Sequence, residues 1–155
     1  MLYRIKNYNE TITHSDTVNS IKKLCRQHKE LTDEIVEHIN RLIAFLDISF
    51  PDFKKVFTDL QGKTPLSLLE KYPTIQEVLS PGNKQDIIQL IKENSHKSSS
   101  YAEAKYEKLV KAARKSIEVC IVSLSSAVLI QTTVRVIFSL QEALKAIDDE
   151  IKRLS

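Results

Sequence analysis

The sequence predicts an all-α fold, and three observations carry that prediction. Two glycines and four prolines in 155 residues are too few turn-formers to punctuate a set of short strands. Apolar positions near both ends of the chain recur at alternating spacings of three and four, the heptad rhythm of paired helices. Between them, capping residues and prolines mark off several short apolar segments. The expected architecture is a long antiparallel helical (coiled-coil) arm formed by the first and last helices, plus a small lobe of short helices. Residues 1–15 read as a linker or the remnant of a preceding domain. Residues 16–155 read as a single helical domain, with arm helices at about 16–47 and 117–154 and the lobe at about 50–115.

Each element follows from its residues. Over residues 1–14, Leu2, Arg4, Lys6 and Tyr8 alternate with Tyr3, Ile5 and Asn7 without a helical period. That pattern suits a frayed strand or a linker equally. Ser15 or Asp16 then offers an N-cap. The seam of the first arm helix runs Ile21, Leu24, His28, Leu31, Ile35, His38/Ile39, Leu42 and Phe45/Leu46. Pro51 stops the helix, because the residue before a proline is pushed out of the helical region. A short helix is expected over Pro51–Thr58. Thr64 caps the next, with Pro65 at its first position and Leu66, Leu68, Leu69 and Tyr72 as its apolar face. Pro73 ends it. Thr74 caps a segment carrying Ile75, Val78 and Leu79, Pro81–Gly82 turns, and Asn83 caps a helix with Ile87, Ile88, Leu90 and Ile91. The run from Ser95 to Ser100 is a polar loop, and the chain is helical again from Tyr101. Residues 117–138 are rich in β-branched side chains but hold no turn-former, so helix is expected there too. Ile137, Leu140, Leu144, Ile147, Ile151 and Leu154 complete the second seam. The arms pair either within one chain or across a dimer.

Composition bounds the function. Hydrophobic residues make 42% of the chain and charged residues 28%, with a net charge of +3. A charge of that size is too small to argue nucleic-acid binding by itself, so its distribution decides. Cys25 and Cys120 form no metal-binding pattern and read as reduced core thiols. The polar N-terminus has no signal-peptide pattern. Residues 119–134 are uncharged but dotted with serine and threonine, and they are shorter than a membrane span needs. A cytoplasmic protein with no membrane role, no cofactor and no small-molecule substrate is expected.

Few side chains form a chemical constellation. Cys25, His28 and His38 lie on one helix, but a zinc site needs three or four converging ligands. His28 reads better as a polar residue in the seam, where it sets register; if buried, its protonation would loosen the arm. Asp148, Asp149 and Glu150 are consecutive and so fan out around a helix, as Asp33, Glu34 and Glu37 largely do. They read as solvated. The basic residues say more. Lys105, Lys108, Lys111, Arg114 and Lys115 recur at near-helical spacing, Lys22, Lys23, Arg26 and Lys29 form a second cluster, and Lys54, Lys55, Lys63 and Lys71 add charge to the lobe. Such a stripe can track a phosphate backbone and release counterions. It can equally be a solvated face laced with Glu103, Glu107 and Glu118. Tyr101 and Tyr106 are the only aromatics nearby, so any contact would be to phosphate and not to bases.

From Leu24 to Leu79 the chain also carries, in order, Asn40-Arg41-Leu42, Phe50-Pro51-Asp52, Val56-Phe57, Asp59-Leu60, Lys63-Thr64, Leu68-Leu69 and Tyr72-Pro73-Thr74. With the Ala104–Ala113 helix and the closing Ile147-Asp148-Asp149-Glu150-Ile151, this resembles the region after the first catalytic domain of DEDD-type insertion-sequence transposases, the IS-one-ten family. The resemblance covers most of the chain from about Thr17. It implies an RNase-H-like domain with four acidic metal ligands ahead of this region and a glycine-rich domain with a catalytic serine behind it. It also implies DNA strand exchange directed by a structured RNA, and a coiled coil that helps subunits associate. With only Gly62 and Gly82, the chain cannot hold the glycine-rich motif, and no catalytic residue carries over. The expected function is a non-catalytic assembly and nucleic-acid-scaffolding segment, self-associating as a dimer, with DNA and structured RNA as partners. The alternative is a stand-alone helical protein–protein interaction or dimerisation module with no nucleic-acid role. A third reading, placed last because no convergent acid–base or nucleophile set is visible, is an enzyme with an unrecognised site.

Overall fold

The computed structural model describes residues 2–118 and 124–155, with side chains described for 15–118 and 126–155. Among the described residues it holds seven α-helices, one 3-10 turn and no strand: α1 (Leu2–Ser49), α2 (Phe53–Val56), α3 (Lys63–Lys71), α4 (Ile75–Leu79), the turn at Pro81–Asn83, α5 (Lys84–Ser95), α6 (Ser99–Ser116) and α7 (Leu124–Leu154). The all-α reading holds, with the first helix packed against the last.

Residues 1–36 and 139–155 form one compact unit, and residues 37–138 form the other. The boundaries thus fall inside the two long helices. In the first unit α1 and α7 run antiparallel. Leu31 and Ile35 are buried, whereas Leu24, His28, Leu140, Leu144, Ile147 and Ile151 are half-buried. Two paired helices cover one stripe on each other, and the flanks of that stripe stay wet. His28 Nε2 meets Asp148 Oδ1 at 2.9 Å across the seam. The histidine therefore contacts a carboxylate and is not a buried imidazole. The premise for acid loosening of the arm, burial of His28, does not hold.

The second unit is a closed helical lobe. Leu42 and Leu46 of α1, Leu66 and Leu69 of α3, Ile87 and Ile91 of α5, Leu109 of α6, and Ile130, Val134 and Ile137 of α7 are completely buried. Phe50 and Phe53 meet edge to face with ring centroids 5.4 Å apart, and Phe53 and Phe57 follow at 5.2 Å. Full burial of one such side chain contributes about 1.5–3 kcal/mol. Residues 126–154 are long and apolar enough to suggest a membrane span, with mean hydropathy 1.2. Three of their apolar residues nevertheless sit in the lobe core, and Gln131 Nε2 donates to the Glu70 carbonyl at 2.8 Å. One face of that part of α7 therefore packs into the lobe core, while 22% of the apolar stretch as a whole is buried.

Several local expectations are corrected. The backbone is helical from Leu2, so residues 2–14 are neither strand nor coil, and Ser15 and Asp16 lie inside a helix they do not cap. No proline or glycine precedes Pro51 to interrupt it. Cys25 is exposed, not a core thiol, because it sits one residue past the seam position Leu24. Cys120 lies outside the described residues. The first lobe helix is a single turn, Phe53–Val56. Gly62, not Thr64, is the N-cap of α3, which places Pro65 at the third helical position, within the first turn. Asn83 makes no cap bond to α5; its amide donates to the Glu77 carbonyl at 2.8 Å instead. The polar loop shrinks to residues 96–98 because α5 runs to Ser95, where His96 ends it at φ 56°, and α6 begins at Ser99. The last arm helix, expected from residue 117, is described from Leu124. Ile117 and Glu118 form a turn, and residues 119–123 lie outside the described residues. Thr74 does cap α4, accepting from Glu77 N at 3.2 Å.

Candidate nucleic-acid interface

A group of exposed cations without a salt bridge among the described residues lies on α6, and the helix's own periodicity puts it there. Ser98 caps the helix by accepting from Tyr101 N at 3.2 Å. Ala102, Tyr106, Leu109, Ala113 and Ser116 form the buried stripe, at the three- and four-residue spacing of one helical face. At about 100° per residue, Lys108, Lys111 and Lys115 then fall together on the opposite side. All three are exposed. Arg114 is exposed on the other flank, beside Glu107 and Val110. None of these four cations makes a salt bridge among the described residues.

Lys105 does not belong to this ridge. It falls about 60° from the centre of the buried stripe, and its ammonium lies 5.1 Å from the Phe57 ring centroid. The sequence spacing placed it correctly on the helix, but three- and four-residue steps drift around the axis, and Lys105 has drifted towards the core.

Two concavities flank the ridge. One, of about 360 Å³, is lined by Glu107, Lys108, Val110, Lys111 and Arg114. The other, of about 250 Å³, lies between α2 and α6 and is lined by Asp52, Lys55, Val56, Lys108, Lys111, Ala112 and Lys115. Asp52 N donates to the buried Ser116 hydroxyl at 3.2 Å, which ties the start of α2 to the end of α6. The apolar residues Phe53 and Val56 of α2 are buried, so the remaining side of this one-turn helix carries its lysines. Lys54 pairs with Asp47 at 2.6 Å, and Lys55 lies 3.3 Å from Asp52 with most of its side chain in solvent.

Other expected site residues lie elsewhere. Arg26 and Lys29, with Lys22 and Lys23, are exposed on the arm part of α1 and line none of these concavities. Among the seam residues, Leu42 and Ile137 belong to the lobe core, and Leu24, His28, Leu31, Ile35, Leu140, Leu144, Ile147 and Ile151 belong to the arm. Of the acidic run near the C-terminus, Asp148 engages His28 and Glu150 engages Arg153, so only Asp149 keeps the purely solvated role. Lys55 is the residue that sequence reasoning passed over. It read as one of several scattered lobe lysines, and only the packing of α2 on α6 sets it beside the ridge.

The local electrostatics have identifiable causes. Burial pushes the Tyr106 phenol above its ordinary value, Glu107 pushes the same way, and Arg114 opposes. Tyr106 is buried, which leaves Tyr101 as the exposed aromatic on α6. That is too little for a base-stacking platform. What the arrangement offers is point charges on a ridge beside a cleft, the chemistry of phosphate contact. No protein-family model, no curated protein and no solved structure matches this chain.

Proposed function

We propose that this chain is a non-catalytic assembly and nucleic-acid-scaffolding segment of a DNA transposase, acting in the bacterial cytoplasm and carrying no cofactor of its own. The observation that supports it best is the exposed side of α6: the ridge of Lys108, Lys111 and Lys115, with Arg114 on its flank, is exposed and makes no salt bridge among the described residues. A helix face evolved only for solubility usually intersperses its charges in pairs. The ordered resemblance from Asn40-Arg41-Leu42 to Tyr72-Pro73-Thr74 supports the transposase part of the reading.

The test is binding to structured RNA and to duplex DNA across a salt series. The wild-type chain should bind, with log affinity falling linearly in log salt. Changing Lys108, Lys111 and Arg114 together to Glu should abolish binding while leaving the helical circular dichroism unchanged. No binding by the wild type even at low salt would sink the proposal.

A second reading has its own observation. Val128, Leu129 and Val136 leave apolar surface on α7, with Val128 60% exposed, and the arm seam is half-buried. A helical protein–protein interaction module, or a dimer, would use such surface. It predicts concentration-dependent association without nucleic acid, lost when Leu144 and Ile147 become Asp. A monomer at high concentration contradicts it.

A further inference from the structure

We infer that the cleft between α2 and α6 seats the phosphodiester backbone of a single nucleic-acid strand, with Lys55 of α2 as one wall of the seat. This rests on the nucleic-acid reading above and narrows it to one surface, one ligand form and one residue outside the α6 ridge.

Four lysines and one carboxylate line the cleft: Lys108, Lys111 and Lys115 from α6, Lys55 from α2, and Asp52 at the start of α2. The floor is apolar, made by Val56 and Ala112. Cations on both walls of a concave surface with a low-dielectric floor focus the field into it and concentrate an anion there. Every cation is a lysine, a mobile point charge and not the rigid fork that reads one planar group. Such a set can follow successive phosphates without fixing a single one. Along α6 the three lysines rise by about 4.5 Å and then about 6 Å, steps that a lysine side chain can bridge to neighbouring phosphates of an extended strand.

Size and lining select the form of the ligand. About 250 Å³ is slightly less than a typical small-molecule pocket of roughly 300–1,000 Å³. An open depression of that size holds the phosphates of one backbone at a time. A flexible single strand can follow it along its length, whereas a stiff duplex presents only one of its two backbones to it. No aromatic side chain lines the cleft, so the bases are not stacked there, and binding in it is indifferent to sequence.

Asp52 supplies a test that misfolding cannot imitate. Its carboxylate lies 3.3 Å from the Lys55 ammonium and competes with a phosphate for that cation. Its side chain makes no capping bond to α2, so an isosteric change leaves the helix start intact. Asp52→Asn should therefore tighten strand binding, by roughly two- to fivefold for relief of a pair whose ammonium is 70% and whose carboxylate is 14% exposed.

The experiment is fluorescence anisotropy of the full chain with labelled oligo-dT, oligo-rU and a mixed-sequence DNA duplex, across a salt series. The variants are Lys55→Ala, Lys108→Ala, Lys111→Ala, Lys115→Ala and Asp52→Asn, with Lys92→Ala of α5 as a control outside the cleft. Expected are binding of both single strands more tightly than duplex, and a loss of roughly two- to fivefold for each cleft lysine. Each lysine removed should also flatten the log–log salt slope by about 0.7. Asp52→Asn should gain affinity and Lys92→Ala should change nothing. Strand binding that ignores Lys55→Ala and Asp52→Asn overturns the cleft but spares the broader reading. Tighter binding of duplex than of single strands overturns the choice of strand. Binding of none of the three probes at low salt overturns the cleft, and absence of structured-RNA binding in the same series overturns the broader reading with it.

Discussion

In the lobe, Leu42, Leu46, Leu66, Leu69, Ile87, Ile91 and Leu109 are wholly closed off from solvent. In the arm, Leu24, Leu140, Leu144, Ile147 and Ile151 occupy equally regular heptad positions and keep part of their surface in water. The residue types are the same and so is the spacing. What differs is the number of neighbours. A lobe position is enclosed by several helices, as a core residue with six to twelve contacting residues must be. An arm position faces one partner helix. The same leucine is thus worth different amounts in the two units, and local stability should differ accordingly.

The largest effect should come from the lobe. Ile87→Ala removes a side chain that is fully buried and should cost about 2–5 kcal/mol, the range for large-to-small changes in a packed core. Chemical denaturation followed by circular dichroism measures it. A cost below about 1 kcal/mol would mean that the core around α5 closes over the gap, contrary to dense packing.

The next effect should be confined to the arm. Leu144→Asp puts a charge on the half-buried seam and should cost about 1–3 kcal/mol, the range for leaving a polar group poorly solvated. Amide exchange should accelerate over residues 139–155 and hold steady in α3, α5 and α6. If Leu144→Asp instead loosened the lobe as much as Ile87→Ala does, the two units would be one cooperative body and the contrast between them would dissolve.

This contrast explains what could be read from the sequence. Heptad spacing places Leu31, Ile35, Leu42 and Ile137 in buried positions because helical periodicity is local information. Of the four expected caps, only Thr74 behaves as its sequence neighbourhood demands. Ser98 caps α6 from within what reads in sequence as a polar loop. Asn83 diverts its amide to a carbonyl six residues back, a choice made by the fold of the turn. Depth of burial was not legible. Leu144 and Leu66 look alike in sequence, and only the count of surrounding helices separates them. The candidate interface divides the same way. Helical spacing groups Lys108, Lys111 and Lys115. The approach of α2, which adds Lys55 and Asp52, is a tertiary event with no local signal. Lys105 was misplaced because its distance around the helix from Lys111 was larger than a three-or-four rule suggests.

A smaller effect probes the polar contact in the arm. His28 and Asp148 meet at 2.9 Å with side chains 37% and 46% exposed. Solvent screens a pair so placed, and a double-mutant cycle with His28→Ala and Asp148→Ala should give a coupling of about 0.5 kcal/mol or less. A coupling several times larger would show the arm to be drier than its half-buried seam implies.

The smallest effect is expected as a sign rather than a size, and it tests whether the lobe is as well satisfied as its apolar burial suggests. Glu77 is the exception there: its Oε2 is buried without a hydrogen-bond partner. Desolvation raises the Glu77 carboxyl above its ordinary value, while a backbone hydrogen bond at Thr74 acts the other way. The unfolded chain therefore gives up this proton first as pH rises. Stability is fully present below the unfolded carboxyl value of 4.5 and declines as pH rises from there through the higher folded value. Gln is neutral throughout and can still reach back to Thr74 as a capping-box partner. Glu77→Gln should thus melt above the wild type at pH 7 and together with it near pH 4. A variant that melts below the wild type at pH 7 would mean that the carboxylate is held by a favourable contact, and that the lobe has no buried polar group left unsatisfied at this position.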